Sequence, residues 1–160
     1  MGICKIIQLF FKSILRTVAF SKMIDDSGVV VGIEHIKQLY SKSIQNISKS
    51  HSDLIKNKKI VLVEGDGRYG YDEYAPYDCI HVGAGNLDLF NLIAAEEIPV
   101  KLVEQLAPGG RMMIPVGKYE SLQYIYLVDK DSKGNVEKTK ILPVRYVPLT
   151  SKDQQLKEYK

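Results

Sequence analysis

Three short apolar runs, separated by stretches of a different period, limit what this chain can fold into more than any other feature. Val29-Val30-Val31-Gly32-Ile33-Glu34, Ile60-Val61-Leu62-Val63-Glu64 and Cys79-Ile80-His81-Val82 are nearly unbroken in apolar character. A strand with one wet face alternates between apolar and polar residues. Strands that do not alternate are buried on both faces, as in a parallel sheet covered by helices. After the first run, Ile36, Leu39, Tyr40, Ile44 and Ile47 share one helical face, with Lys37, Lys42 and Gln45 off it. The polar stretch 48–59 then reads as a connection into the second run. Gly83-Ala84-Gly85 closes the third.

Further along, residues 86–98 read as an extra helix capped by Asn86 or Asp88. Pro99 suits the first turn of another helix, with Leu102, Val103 and Leu106 on its buried side. Ala107-Pro108-Gly109-Gly110 stops that helix, and Arg111 to Pro115 reads as a fourth strand. This β-α-β-α-β rhythm implies a doubly wound, mostly parallel sheet with right-handed crossovers. The ending differs. Leu122 to Asp129, the turn Asp131-Ser132-Lys133-Gly134-Asn135, then Val136 to Ile141 and Val144 to Leu149, read as an antiparallel, hairpin-like close.

The first twenty residues are apolar but carry Lys5, Lys12 and Arg16, and their longest uncharged run is Ile6 to Phe11. That is far short of the ~20 residues a bilayer span requires. Met1-Gly2 and Cys4 hint at acylation, but Ile6 stands where myristoylation prefers Ser or Thr. Ile7, Phe11, Ile14, Leu15 and Val18 recur at helical spacing, which predicts an amphipathic helix packed on the domain rather than a membrane-surface anchor. At 160 residues, 45% hydrophobic and 26% charged, the chain has the size and composition of one ordinary domain, and disordered or collagen-like classes are excluded. A net charge of +3 calls for no polyanionic partner. Cys4 and Cys79 form no metal-binding pair and read as thiols of a reducing, cytoplasmic compartment.

In doubly wound folds an acidic residue at the carboxyl end of a strand holds ribose hydroxyls, and Glu34 stands at such an end. The competing reading is a cap on the helix that follows. Gly65-Asp66-Gly67 ends the next strand, where glycines admit a flat ligand and Asp66 can accept from an exocyclic amine. A plain turn is the alternative. His35 and His81 are candidate acid/base groups because of their residue type, although a histidine inside a strand is more often structural. Arg68, Tyr69, Tyr71 and Tyr74 suggest a stacking surface, but no basic stripe accompanies them.

In order along the chain stand Val31-Gly32-Ile33-Glu34-His35-Ile36, Gly65-Asp66-Gly67-Arg68 with Gly70-Tyr71, and Ala75-Pro76-Tyr77-Asp78 with Ile80-His81-Val82-Gly83-Ala84. Gln105-Leu106, Pro108-Gly109-Gly110-Arg111, Ile114-Pro115-Val116-Gly117 and Val147-Pro148-Leu149-Thr150 follow. From Thr17 onward this series resembles the protein-L-isoaspartate O-methyltransferase family. The resemblance implies a Rossmann-like α/β domain over residues 1–160, with 1–16 divergent. It further implies S-adenosylmethionine as cofactor, isoaspartyl proteins or peptides as substrate, a monomeric cytoplasmic repair enzyme, and no nucleic-acid, membrane or metal partner. Carried over residue by residue, it implies that Glu34 holds the cofactor ribose with His35 beside it. Gly65 and Asp66 would border the adenine next to Gly67, and Thr150 and Gln155 match cofactor-contacting positions. Glu34 stands where aspartate is more usual.

No proton shuttle is nominated, because the carboxylate nucleophile is already ionised at pH 7. Relatives carry a glycine-rich turn before the helix of Thr17-Val18-Ala19-Phe20. Here its glycine positions fall on Phe10, Lys12 and Ile14 and its acid on Gln8. The region upstream of that turn is also missing, so the fold is expected to be N-terminally truncated, with Ile6 to Phe11 as an alternative source of the central strand though not of the glycine turn. The alternatives are a non-catalytic relative that binds a nucleoside or a protein, and a dinucleotide-dependent oxidoreductase; the antiparallel ending disfavours the latter.

Overall fold

A computed structural model of the chain describes residues 3–9, 14–83, 93–94, 97–117, 122–144 and 147–148. In chain order the elements are β1 (Lys5–Leu9), α1 (Ile14–Met23), β2 (Val29–Glu34), α2 (Lys37–Ser50), α3 (Ser52–Lys56), β3 (Ile60–Glu64), β4 (Tyr77–Val82) and β5 (Ile93–Ala94). Then come α4 (Val100–Glu104), β6 (Leu106–Val116), β7 (Gln123–Lys130), β8 (Val136–Val144) and β9 (Val147–Pro148). The main sheet has seven strands in the order β3-β2-β1-β4-β6-β7-β8. Its first five are parallel and its last two antiparallel. The unbroken apolar runs of β2 and β4 are thus inner strands, and the alternating tail forms the antiparallel edge.

The winding direction reverses between β1 and β4. The carboxyl ends of these neighbouring strands are where open α/β sheets bind ligands.

Residues 5–9 depart from the expected N-terminal helix. They form the central strand, paired with β2 on one side and β4 on the other. Ile6, Ile7 and Leu9 are 6%, 0% and 3% exposed. A local helical period is a weak preference beside two flanking strands that each need a partner, and pairing decides. The helix begins only at Ile14, and Val18 faces a small core with Ile47, Leu54 and Ile60.

Other boundaries move for similar reasons. The linker 48–59 contains α3, which buries Leu54. β6 starts at Leu106 rather than Arg111 because Leu106 pairs with Tyr77, after which the register shifts before Cys79 meets Arg111. Gly109, at φ 82°, and Gly110, whose Cβ would stand 2.8 Å from the Ala107 carbonyl, permit that irregularity. β8 runs on to Val144. Of the expected helix over 86–98, residues 86–92 and 95–96 lie outside the described residues, and Ile93–Ala94 is a short strand paired with β9.

The larger core lies on the other face of the sheet from α1. It is built from Ile7, Leu9, Val31, Ile33, Ile80 and Val82 and closed by Leu102 and Leu106. β8 is exposed over almost its whole length, and Glu137, Lys138 and Lys140 discourage further strand pairing at this edge. Lys140 Nζ sits 3.3 Å from the centroid of the Tyr124 ring on β7.

Candidate functional site

β2 and β3 end side by side. Glu34 is in register with Glu64, and the Gly65 N–H donates to the Glu34 carbonyl at 3.1 Å. Glu34 and the Gly65-Asp66-Gly67 segment therefore share one rim of the sheet. Glu34 is 1% exposed, and one of its carboxylate oxygens accepts from the Ile36 N–H at 2.9 Å. That bond is the capping role weighed against ribose binding. A carboxylate offers about four acceptor directions, so one capping bond does not exhaust it. At Gly65 a Cβ would find nothing nearer than the methyl groups of Ile33 and Val63 at 3.8 Å, which leaves its surface open for a flat group.

Gly67 opens a 3-10 turn, Gly67–Tyr69. Its lack of a side chain lets Leu9, the last residue of β1, pack beneath the turn: a Cβ there would stand 3.2 Å from the leucine Cδ2. Asp66 caps this turn by accepting from the Arg68 N–H at 3.0 Å. Its carboxylate also takes the Arg68 guanidinium, from Nε at 3.0 Å to each oxygen and from Nη2 at 2.5 Å to Oδ2. Burial alone would raise the Asp66 carboxyl. The Arg68 hydrogen bonds and charge, with a smaller contribution from His35, hold it below the ordinary value instead. His35 follows Glu34 directly at the end of β2, which brings it to the same rim. Thr150 and Gln155 lie outside the described residues.

The crossover from β3 to β4 has no α-helix. It consists of two 3-10 turns, Gly67–Tyr69 and Asp72–Tyr74, so its backbone groups need other partners. Gln105, 4% exposed at the junction of α4 and β6, supplies them. Its Oε1 accepts from the Tyr71 N–H at 3.0 Å, and its Nε2 donates to the Tyr69 carbonyl at 3.0 Å and to Asp72 Oδ1 at 2.6 Å. The Tyr77 hydroxyl adds a 2.6 Å bond to the Tyr71 carbonyl. Gly70, at φ 64°, is obligatory here because a Cβ would stand 1.9 Å from Gln105 Oε1. Sequence reasoning gave Gln105 no role and read Arg68 only as part of a stacking surface. The Asp-x-Arg spacing of an Asp-capped turn was the signal available for Arg68. Tyr71 and Tyr74 stack on each other and pack on the core rather than forming an outward surface.

The neighbouring tip, at β1 and β4, has another character. Gln8 and His81 are register partners, and the Gly83 N–H donates to the Leu9 carbonyl at 3.0 Å. A Cβ on Gly83 would stand 2.5 Å from His81 Cε1 and 2.7 Å from Gln8 Nε2. The Phe20 ring meets His81 edge-on with centroids 5.5 Å apart. Burial first, then the Arg16 charge, pulls the imidazole down to about 4, so it is neutral at pH 7. Gln8 Oε1, Thr17 Oγ1 and His81 Nδ1 are buried without partners among the described residues.

On the opposite rim, a groove of about 430 Å³ between α1 and α3 is lined by Lys22, Asp26, Asp53, Asn57 and Lys59. Among the described residues no cluster of metal-ligating side chains occurs, and no helix is long and apolar enough to cross a membrane.

The profile of the protein-L-isoaspartate(D-aspartate) O-methyltransferase family matches residues 11–154. The chain belongs to this family. Protein-L-isoaspartate O-methyltransferase 1 of Arabidopsis thaliana is 44% identical over 142 residues, covering 88% of this chain and 57% of that protein. The Caenorhabditis elegans protein-L-isoaspartate O-methyltransferase is 43% identical over 139 residues, 87% of this chain and 57% of that protein. The chain spans about half the length of the curated relatives it matches.

Among solved structures, a Plasmodium falciparum protein assigned to the same family and in complex with S-adenosyl-L-homocysteine superposes with a TM-score of 0.74 at 24% identity. The match covers 92% of this chain and 66% of that one. A protein-L-isoaspartate O-methyltransferase superposes with a TM-score of 0.72 at 21% identity, over 92% of this chain and 42% of that one. At these identities the likeness shows the fold, which is Rossmann-like.

Proposed function

We propose that this chain carries the nucleoside-binding half of a protein-L-isoaspartate O-methyltransferase. In this reading it acts on isoaspartyl carboxylates of damaged proteins with S-adenosylmethionine as methyl donor, as a monomer in the cytoplasm. The observation that carries the reading is the shared rim of Glu34, Gly65 and Asp66, held together by the 3.1 Å bond from Gly65 to Glu34. The residues fit an adenosine: the Gly65 surface is open, and an acid stands on either side of it. The stretch 10–13, which aligns with the turn expected against the methionine portion, lies outside the described residues.

Glu34, with acceptor capacity left after its bond to Ile36, would hold the ribose hydroxyls, and His35 would lie beside them. Asp66 would accept from the adenine amine, while Gly65 and Gly67 let the base approach. Thr150 and Gln155 are proposed to complete the cofactor contacts. When bound, the cofactor supplies an electrophilic sulfonium methyl. The chain's own residues orient the two reactants and exclude water, and no proton has to move.

A relative that binds the nucleoside without transferring a methyl is the second reading. The large residues Phe10, Lys12 and Ile14 at the positions of the glycine-rich turn favour it. Calorimetric titration with S-adenosylhomocysteine, followed by methyl transfer to an isoaspartyl peptide, separates the two. Binding with transfer supports the enzyme, and binding alone supports the second reading. Asp66→Ala is expected to weaken S-adenosylhomocysteine about tenfold or more, the effect of losing a charge-assisted hydrogen bond. Unchanged affinity removes Asp66 from the site.

A further inference from the structure

The Asp66 carboxylate is already occupied. Three side-chain contacts from Arg68, at 3.0, 3.0 and 2.5 Å, cover both of its oxygens, and the Arg68 N–H takes a further acceptor direction on Oδ1. An amine arriving at Asp66 therefore meets a guanidinium already bound in bidentate fashion. The Arg68 side chain is 37% exposed and that of Asp66 25%, so the arginine has solvent to swing into while the aspartate remains part of the corner.

We propose that the Asp66–Arg68 ion pair is a gate on the nucleoside corner. Arg68 must leave the carboxylate before an amine-bearing base can bind there, so Arg68 sets both the affinity for the nucleoside and the discrimination between amine-bearing and carbonyl-bearing bases. This rests on the reading of the corner as a nucleoside site.

The two bonds between these residues separate cleanly by chemistry. The backbone N–H of Arg68, which aims Asp66 through the turn, survives any substitution at position 68 other than proline. The guanidinium does not. Removing the charged head therefore leaves Asp66 oriented and frees its outer lone pairs, so binding improves instead of weakening. Had Arg68 been an orienting residue, its removal would have the opposite effect. A partly exposed pair is worth little in water, which keeps the expected gain modest at about three- to tenfold. The unmasked carboxylate also repels a carbonyl in the position of the amine. Inosine, which carries a carbonyl where adenosine has its amine, therefore gains nothing.

The test uses the full chain, the variant Arg68→Met, which keeps an apolar stem without the charge, and Arg68→Lys, which keeps the charge without the fork. Adenosine, inosine and S-adenosylhomocysteine are titrated by calorimetry at low and high ionic strength. Arg68→Met is expected to bind adenosine about three- to tenfold more tightly than the unmodified chain, with inosine unchanged or weaker and Arg68→Lys intermediate. Salt screens the ion pair, so raising it is expected to tighten adenosine on the unmodified chain and leave Arg68→Met flat.

Equal or weaker binding of adenosine by Arg68→Met, or an unchanged ratio of adenosine to inosine, overturns the gate while S-adenosylhomocysteine binding by the unmodified chain keeps the nucleoside reading. Failure of every form to bind any of the three probes overturns both. Thermal denaturation checks that Arg68→Met is folded. If it is not, the intermediate affinity and reduced salt response of Arg68→Lys decide the matter in the same sense.

Discussion

The two tips of the parallel sheet are built in opposite ways. At β2 and β3 both acids are bound by neighbouring donors: Gly65 bonds the Glu34 carbonyl, Ile36 bonds one oxygen of the Glu34 carboxylate, and Arg68 covers Asp66. At β1 and β4, Gln8 Oε1, Thr17 Oγ1 and His81 Nδ1 are buried and have no partner among the described residues. A buried polar atom without a partner costs about 1–3 kcal/mol, and Gln8, Thr17 and His81 each carry such an atom. One tip is held by the protein's own hydrogen bonds, of which those from the Arg68 guanidinium to Asp66 must open before a base binds. The other is held mainly by apolar packing and by the 3.0 Å bond from Gly83 to Leu9.

The strongest way to break this contrast is to loosen the engaged tip from a distance. Gln105→Leu removes the bonds to Tyr71, Tyr69 and Asp72 and leaves the backbone groups of the crossover unsatisfied. The expected loss is about 3 kcal/mol in urea denaturation, with weaker binding of S-adenosylhomocysteine. A loss below about 1 kcal/mol would mean that solvent replaces those bonds and that the crossover does not rely on Gln105.

Next in size is an acid response confined to the other tip. His81 is held at about 4 in the fold against 6.5 ordinarily, chiefly by burial. Between those values the unfolded chain binds more protons, so stability rises with pH across that window and falls as pH drops through it. With the partial exposure of the ring discounted, His81→Gln should remove about 2 kcal/mol of that pH dependence. Denaturation midpoints measured across the window check this, and parallel curves for the two proteins would exclude His81 as the source. Asp66 runs in the same sense, in a more acidic window. Its lowered carboxyl contributes stability above the ordinary carboxylate range, and this is lost only as pH falls below that range.

The sequence made the engaged tip legible and left the other obscure, for identifiable reasons. Val29 to Glu34 has no polar interruption, so β2 and its acidic end could be read directly, and Gly65 had to follow the next run. Ile6 to Leu9 fits a helical period as well as a strand, and only the presence of β2 and β4 on either side decides. Arg68 was visible but read without its partner, although it stands two residues from Asp66. Gln105 could not be seen at all, since the turn it holds lies more than thirty residues away and nothing local marks a glutamine for that task.

The smallest effect tests the cost assigned to the unpartnered tip, and its sign matters more than its size. Gln8→Met keeps the length of the side chain, removes the unpartnered Oε1 and gives up the 3.1 Å bond from Nε2 to the Leu9 carbonyl. That carbonyl keeps its bond from Gly83, so nothing is newly orphaned. The balance favours the variant, and a gain of about 1 kcal/mol is expected in urea denaturation. A loss of that size would instead mean that Oε1 finds a partner in the native protein. The β1–β4 tip would then be as fully engaged as its neighbour, and the difference between them would lie only in which groups do the bonding.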